Sequence, residues 1–578
     1  MISGCEGITC PVDKEHIAYF SMEVGISHTI PTYAGGLGIL AGDVLKSFAD
    51  LKIPVVGITL LNEKGYFYQT LDADGNQKEE PVQWNPHDHM VLLPNSISVT
   101  IEGRQVRVRA WKHMIRGLSG NQLPVYFLDT NVPGNSDYDK TLTSHLYGDG
   151  RQYRLSQEIV LGIGGVRILE SLGYHNIRKY HMNEGHASLL AVELLRKTYR
   201  DAGSEELNYD LDAVKEKCVF TSHTPVAAGH DKFDLDLFLR LTGDFVPKML
   251  LSKSTHDNQV NMTLLGLTVS KHINGVAKSH GLVTREMFPE YSIDTITNGV
   301  HPSSWVSPAF RELFDANLAG WELDPFTLRN ALYIPRKKLW EAHEKAKQTL
   351  IDSVNASSNL GFHPARFTIG YARRFTEYKR PDLLIYDIAR LEEVAKKVGD
   401  IQVIFAGKAH PADWKGKELI RKVFHECKAV NSRNTPLKMV FLEGYDMQLA
   451  KLMVAGCDVW LNTPQRPYEA SGTSGMKAAL NGVPHLSTLD GWWLEGHIEN
   501  VTGWSIGEHP HDAQHNPDTD VGADASDLYS KLENNIIPTF YGNQPKWGEI
   551  MRHCIAINAS FFNTYRMAQQ YIANAYLE

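Results

Sequence analysis

The residues best suited to chemistry in this chain are Glu469-Ala470-Ser471-Gly472-Thr473-Ser474-Gly475-Met476-Lys477, a run of small residues ending on one lysine. Serine, threonine and glycine in such a turn leave backbone N–H groups free at the start of a helix, where unsatisfied donors and the helix dipole favour an anion such as phosphate. Lys477 stands just inside that start, before the apolar Ala478-Ala479-Leu480. Loss of hydration there lowers an amine's affinity for its proton, which is what Schiff-base chemistry asks of a lysine. A phosphate site beside an imine-forming amine points to pyridoxal 5'-phosphate. An ordinary helix start with a solvated lysine shares the local pattern, so the surroundings must decide.

The densest charge feature is Arg373-Arg374-Phe375-Thr376-Glu377-Tyr378-Lys379-Arg380, placed where a predicted strand passes into a helix. Arginine with lysine matches phosphate dianions in charge and geometry, and strand C-termini in α/β domains point at ligands. Tyr33-Ala34-Gly35-Gly36-Leu37-Gly38 is a glycine-rich turn after another predicted strand, open to a phosphate-binding or a purely structural reading. His223, in Thr221-Ser222-His223-Thr224-Pro225, reads by itself as a structural histidine.

Elements must bring these residues together. The apolar run 16–23 predicts a buried strand leading into the glycine turn, 96–111 alternates around Glu102-Gly103 as a hairpin, and a helical stretch at 151–172 precedes a strand at 218–222. Asp324-Pro325 reads as a helix start, carrying helical segments to about residue 357. Beyond it the alternation is cleaner: strands at 367–372, 402–406 and 438–442, helices at 380–398, 414–429 and 447–455, a surface loop at 508–526 and closing helices over 546–577. The fold class expected is α/β, as two Rossmann-like domains facing across a cleft. The turn signal Asn298-Gly299 places the boundary: 1–299 is an N-terminal α/β domain with the glycine-rich loop, 300–578 a C-terminal Rossmann-like domain with Lys477, its last helices candidates to pack back on the first.

The block around Lys477 closely resembles the cofactor-attachment segment of the α-glucan (glycogen, starch, maltodextrin) phosphorylases, which reads glutamate-alanine-serine-glycine-threonine, two small or polar residues, methionine, lysine. The segment from Gly482 to Ser487-Thr488-Leu489-Asp490-Gly491 matches as well, and the likeness runs in several ordered blocks over 19–491. The resemblance implies a GT-B glycosyltransferase fold and an enzyme releasing glucose 1-phosphate from an α-1,4-glucan with inorganic phosphate, retaining configuration. It implies that Lys477 anchors pyridoxal phosphate, with Arg373, Thr473, Ser474, Tyr445, Trp305 and Gly36 around the cofactor. Arg374 and Lys379 would hold the substrate phosphate, helped by Gly35 and Gly36 as backbone donors. His223, Asn298, Glu469, Ser471 and Gly472 would meet the sugar. The family is often dimeric, which makes a second copy of the chain a candidate partner. Departures are present. Asp446 stands where the long animal enzymes have an arginine near the cofactor phosphate, Arg373 replaces a lysine, and Ser474 and Gly475 replace glycine and asparagine. With no counterpart of the animal N-terminal regulatory extension, the chain is most like the short prokaryotic branch.

Composition narrows the classes. The 578 residues, 43% hydrophobic and 22% charged, are those of a globular protein with more than one core. A net charge of -9 supplies no basic field for nucleic acid, and no apolar run is long enough for a membrane, so the protein reads as cytoplasmic. Six cysteines make no disulfide framework; Cys218, Cys427, Cys457 and Cys554 read as buried thiols, Cys5 and Cys10 as a pair without a partner pair, and no metal site is expected. No pair of carboxylates is signalled for hydrolysis by water. Two alternatives stay open: a nucleotide-sugar glucosyltransferase resembling glycogen synthase, and a glucan-binding protein without catalysis.

Overall fold

Two large sheets divide the chain's strands. The computed structural model describes residues 15–148, 150–204, 208–226, 229–508 and 520–577. Among these, one sheet has nine strands and the other six, with a three-stranded and a two-stranded sheet beside them. In the larger sheet His16–Phe20 lies between Val55–Leu60 and Ile177–Asn183, paired in parallel with both. Parallel pairing continues outward through Gln122–Asp129 on one side and Cys218–Thr221, His272–Gly275 and Asp294–Thr295 on the other. The predicted hairpin is Val91–Ile101 with Arg104–Arg116, turning at Glu102-Gly103, and it joins antiparallel at one edge. The stretch predicted as one helix at 151–172 is Arg151–Ile159 and Gly165–Ser171 with a π-helical turn, Val160–Gly164, between them.

The six-stranded sheet is parallel throughout. Its strands are Phe367–Ala372, Ile401–Ala406, Leu437–Leu442, Val459–Asn462, His485–Thr488 and Gly503–Ile506, and numbered along the chain they lie in the order 3-2-1-4-5-6. That is the doubly wound order, whose ligand crevice opens where the order reverses, beyond the C-termini of Phe367–Ala372 and Val459–Asn462. Nearly every residue of these strands is buried, because helices cover both faces, and this is why they read as apolar runs. The helices Trp414–Asn431 and Met447–Gly456 fall within two residues of expectation. The helix expected at 380–398 is instead Ile388–Val398. Arg380 has a left-handed backbone (φ 45), Pro381 follows, and Asp387 caps the later start by accepting from the Arg390 N–H. In the stretch expected as a loop at 508–526, a helix, Val521–Lys531, already begins; residues 509–519 lie outside the described residues, as do Cys5 and Cys10.

Separate apolar cores serve the two sheets, and the last helices cross from one to the other. Thr564–Tyr571 and the π-turn Ile572–Tyr576 pack Met567, Ala568, Tyr571 and Tyr576 against Ile17, Tyr19, Val44 and Phe48 of the nine-stranded layer. Polar contacts fix the register there: the Tyr576 hydroxyl and His181 Nδ1 are 2.7 Å apart, and Tyr571 donates to or accepts from Thr221 at 3.0 Å. Cys218, Cys427, Cys457 and Cys554 are free and buried. Among the described residues no helix is long and apolar enough to cross a membrane.

The long helix Arg336–Ser358 is tied to the six-stranded sheet by a buried ionic cluster. Lys347 and His343 both reach Asp458, at the start of Val459–Asn462, and Asp458 also accepts the Thr368 N–H; lysine and aspartate side chains are 2% and 0% exposed. Removing one partner of such a cluster leaves a buried charge. Lys347→Ala is therefore expected to lower the unfolding free energy by about 3–5 kcal/mol, read by urea denaturation; a loss within about 1 kcal/mol, the level of exposed pairs, would contradict the account.

Candidate active site

Lys477 lies on the short helix Ser474–Leu480, which starts without a side-chain cap at Thr473, so its first N–H groups face outward unclaimed by any side chain. The lysine is 8% exposed, and its Nζ stands 3.8 Å from the centre of the Trp305 indole. Among the described residues the amine makes no hydrogen bond or ion pair. Burial, reinforced by Lys46 and Lys451 and opposed by Asp43, pulls its pKa down to about 8. Trp305 is itself fixed, its Nε1–H donating to Asp43 Oδ2 at 2.7 Å. The small residues of the motif have distinct causes. Gly472 has φ 84, and a Cβ at Gly475 would meet His485 and Trp492 at 2.8 Å. Ser474 Oγ accepts from Trp460 Nε1, while Ser471 Oγ is buried without a partner.

The basic segment leaves Phe367–Ala372 at the point where strand order reverses. Arg373 donates to Asn462, at the end of the neighbouring strand Val459–Asn462, and to Glu469 Oε2 at 2.8 Å; its Nε is buried without a partner. Lys379 donates to the same Glu469 oxygen at 2.6 Å. The two cations hold the Glu469 carboxyl down at about 2 against the cost of its burial. Both use Oε2, so Oε1 is left for another donor. Arg374 differs: its side chain is exposed and, among the described residues, has no hydrogen bond or ion pair, facing Glu23, Tyr66, Tyr147 and Tyr378.

Of the remaining predicted residues, Tyr445 is half-buried near Arg373 and Tyr33. Asp446, the departure at the expected arginine position, caps the helix Met447–Gly456 by accepting from the Leu449 N–H at 2.9 Å. Open space faces both Gly35 and Gly36, but the Gly35 N–H is already taken by Glu23 Oε2 at 3.2 Å. Asn298 is buried with Oδ1 unpartnered. His223 Nε2 lies 2.5 Å from Asn183 Oδ1, and burial holds its imidazole well below the usual histidine range, hence neutral.

Two residues escaped the sequence reading. Glu23 and Glu184 each follow a strand C-terminus of the nine-stranded sheet, the position at which α/β folds place ligand-facing groups. Glu23 accepts from Ala34, Gly35 and the Tyr147 hydroxyl; Glu184, with φ 85, accepts from the His223 N–H and the Thr224 hydroxyl. That positional rule was the signal that could have found them. Among the described residues no group of three or more His, Cys, Asp or Glu could hold a metal ion.

The chain belongs to the carbohydrate phosphorylase family: a model of that family matches residues 33–147 and 240–503. It is 38% identical to a maltodextrin phosphorylase of Thermococcus litoralis over 98% of this chain and 71% of that one. Identity to a glycogen phosphorylase of Mycobacterium bovis is 35% over 99% of this chain and 72% of that one, and to one of Aquifex aeolicus 33% over 97% and 86%.

Glu469→Gln tests the anion's part in the site, because it strands Arg373 and Lys379. At neutral pH the variant is expected to be less stable by about 3 kcal/mol. The Glu469 carboxyl is depressed in the folded protein, so its contribution is present above its ordinary 4.5 and is lost as pH falls toward about 2. Urea unfolding of both proteins should show the gap closing across that interval; a gap independent of pH would contradict the cation pairing.

Proposed function

We propose that the protein is an α-1,4-glucan phosphorylase, transferring the terminal glucosyl unit of a glucan such as glycogen, starch or maltodextrin to inorganic phosphate and releasing glucose 1-phosphate with retained configuration. The observation that carries this reading is Lys477: a buried amine without a hydrogen-bond or ion-pair partner among the described residues, on an indole face, at an uncapped helix start. Neither a nucleotide-sugar transferase nor an inert glucan binder has use for it. In this reading the sheets belong to two domains, 1–299 and 300–578, facing across a cleft in GT-B fashion in a cytoplasmic enzyme.

The residues fit pyridoxal phosphate. Lys477 would hold it, Trp305 and Tyr445 would border it, and the Arg373 side chain with the amides of Gly36, Thr473 and Ser474 would receive its phosphate. The donors left free at Arg373 Nε and in the first turn of the Lys477 helix support that fit. Bound there, the cofactor would supply a phosphate group able to exchange a proton with the substrate phosphate. Everything else falls to the chain. Arg374, unpaired, and Lys379 bring a phosphate dianion toward a second one and offset their repulsion. Asn298 Oδ1, Glu469 Oε1, His223 and the Ser471–Gly472 turn are suited to sugar hydroxyls. Hydrolysis by water needs a free acid and base, yet Glu23, Glu184 and Asp490 all accept backbone N–H groups and Glu469 is held by cations.

Maltodextrin incubated with inorganic phosphate and the purified protein should give glucose 1-phosphate, with activity rising when pyridoxal phosphate is added to stripped protein. Transfer from a nucleotide-glucose alone, or no product, would overturn the reading. Arg374→Ala should lower kcat/KM for phosphate by about 100-fold while leaving Tm near that of the parent; an unchanged value would remove Arg374 from the phosphate site.

A further inference from the structure

The helix Gly36–Asp50 carries more charge toward Lys477 than its glycine turn requires. Asp43 and Lys46 sit one turn apart on it. Asp43 Oδ2 accepts both Trp305 Nε1–H at 2.7 Å and the His301 N–H at 3.2 Å, and Lys46 Nζ donates to Ser304 Oγ at 3.2 Å. From the other side, the helix Met447–Gly456 brings Lys451, its Nζ 5.9 Å from the same indole on which Lys477 stands at 3.8 Å. Two amines and one carboxylate thus converge on Trp305, and a third amine reaches the adjacent Ser304.

We propose that Lys46 and Lys451 are positioning residues for Lys477: two cations brought to the Trp305 segment that keep a third positive charge off the Lys477 amine, so that it meets a carbonyl compound as a free base. The inference rests on the reading of Lys477 as the cofactor lysine, and it adds residues that act through that lysine without touching the cofactor. Like charges held close in a water-poor setting disfavour one another's ionisation; beyond burial itself, Lys46 and Lys451 act in this direction on Lys477 and Asp43 acts against them. The other charged groups around Lys477 do not cancel the effect. Asp50 is engaged by His301 and Tyr565, Arg311 stands beside Lys451, and Asp446 caps its own helix. Cys554 and His485, on the elements packed against Ser474–Leu480, are kept neutral by burial. Lys46 and Lys451 are themselves pulled below the usual lysine range, chiefly by burial, with Asp43 acting the other way on both.

The test reads the amine itself. Full-length protein stripped with hydroxylamine is labelled with trace acetic anhydride from about pH 6 to about pH 10.5, and the Lys477 peptide is followed by mass spectrometry. The parent should show a labelling midpoint at about 8. Lys46→Met with Lys451→Met should cut Lys477 labelling near neutral pH about fivefold, Asp43→Asn should raise it, and Lys46→Arg with Lys451→Arg should leave it as in the parent. Parent-like labelling of the double methionine variant across the range would overturn the proposal; should that variant not fold, absence of a rise in Asp43→Asn would do so. Pyridoxal phosphate uptake, followed by absorbance in the same samples, reports separately on whether Lys477 is the cofactor lysine.

Discussion

The site hangs on the way the helix Gly36–Asp50 is wedged between the layers. One face, with Leu40, Val44, Leu45 and Phe48, belongs to the core under the nine-stranded sheet. The other presents Asp43, Lys46, Ser47 and Asp50, which take hold of Trp305, Ser304, Thr564, and both His301 and Tyr565 respectively. The helix can come this close because Gly42 lacks a side chain: a Cβ there would stand 2.0 Å from the Gly25 carbonyl oxygen. Through Asp43 and Trp305 the nine-stranded layer sets the floor on which Lys477, from the six-stranded layer, rests. A lysine buried with no ion pair among the described residues is costly, and it persists because the surrounding packing over-determines its place.

A second constraint is electrostatic. Arg373, Arg374 and Lys379 leave one strand end together, and so much like charge at low dielectric needs anions close by. Glu469 supplies one, accepting two cations on a single oxygen and remaining ionised despite burial. Arg374 is left without such a partner and faces solvent-accessible space lined by tyrosines. Two of the three cations, Arg373 and Lys379, are thus oriented by one carboxylate oxygen, and Arg374 is not.

Much of this was legible before any coordinates. The strands Phe367–Ala372, Ile401–Ala406 and Leu437–Leu442 announce themselves because both faces are covered and the runs are apolar, and the motif ending at Lys477 is local in sequence. Other features were hidden for physical reasons. Arg380 with a positive φ ahead of Pro381 delays a helix whose residues otherwise have helical propensity. Asp446, a departure from the resemblance at the cofactor phosphate, is the cap of the helix Met447–Gly456, a role its place just before the expected helix at 447–455 already allowed. Glu23 and Glu184 are marked in the sequence only by their place after a strand end, because their partners lie more than ten and nearly forty residues away, respectively. Lys46 and Lys451 matter only because folding brings two helices to one indole.

The central claim is that the Lys477 amine covalently holds a pyridoxal phosphate. Borohydride reduction of the purified protein, followed by peptide mapping with mass spectrometry, tests it most directly. The account predicts the added cofactor mass on the peptide containing Lys477 and its absence from Lys477→Ala protein. An unmodified Lys477 in folded, cofactor-loaded protein, or the mass on another lysine, would contradict it.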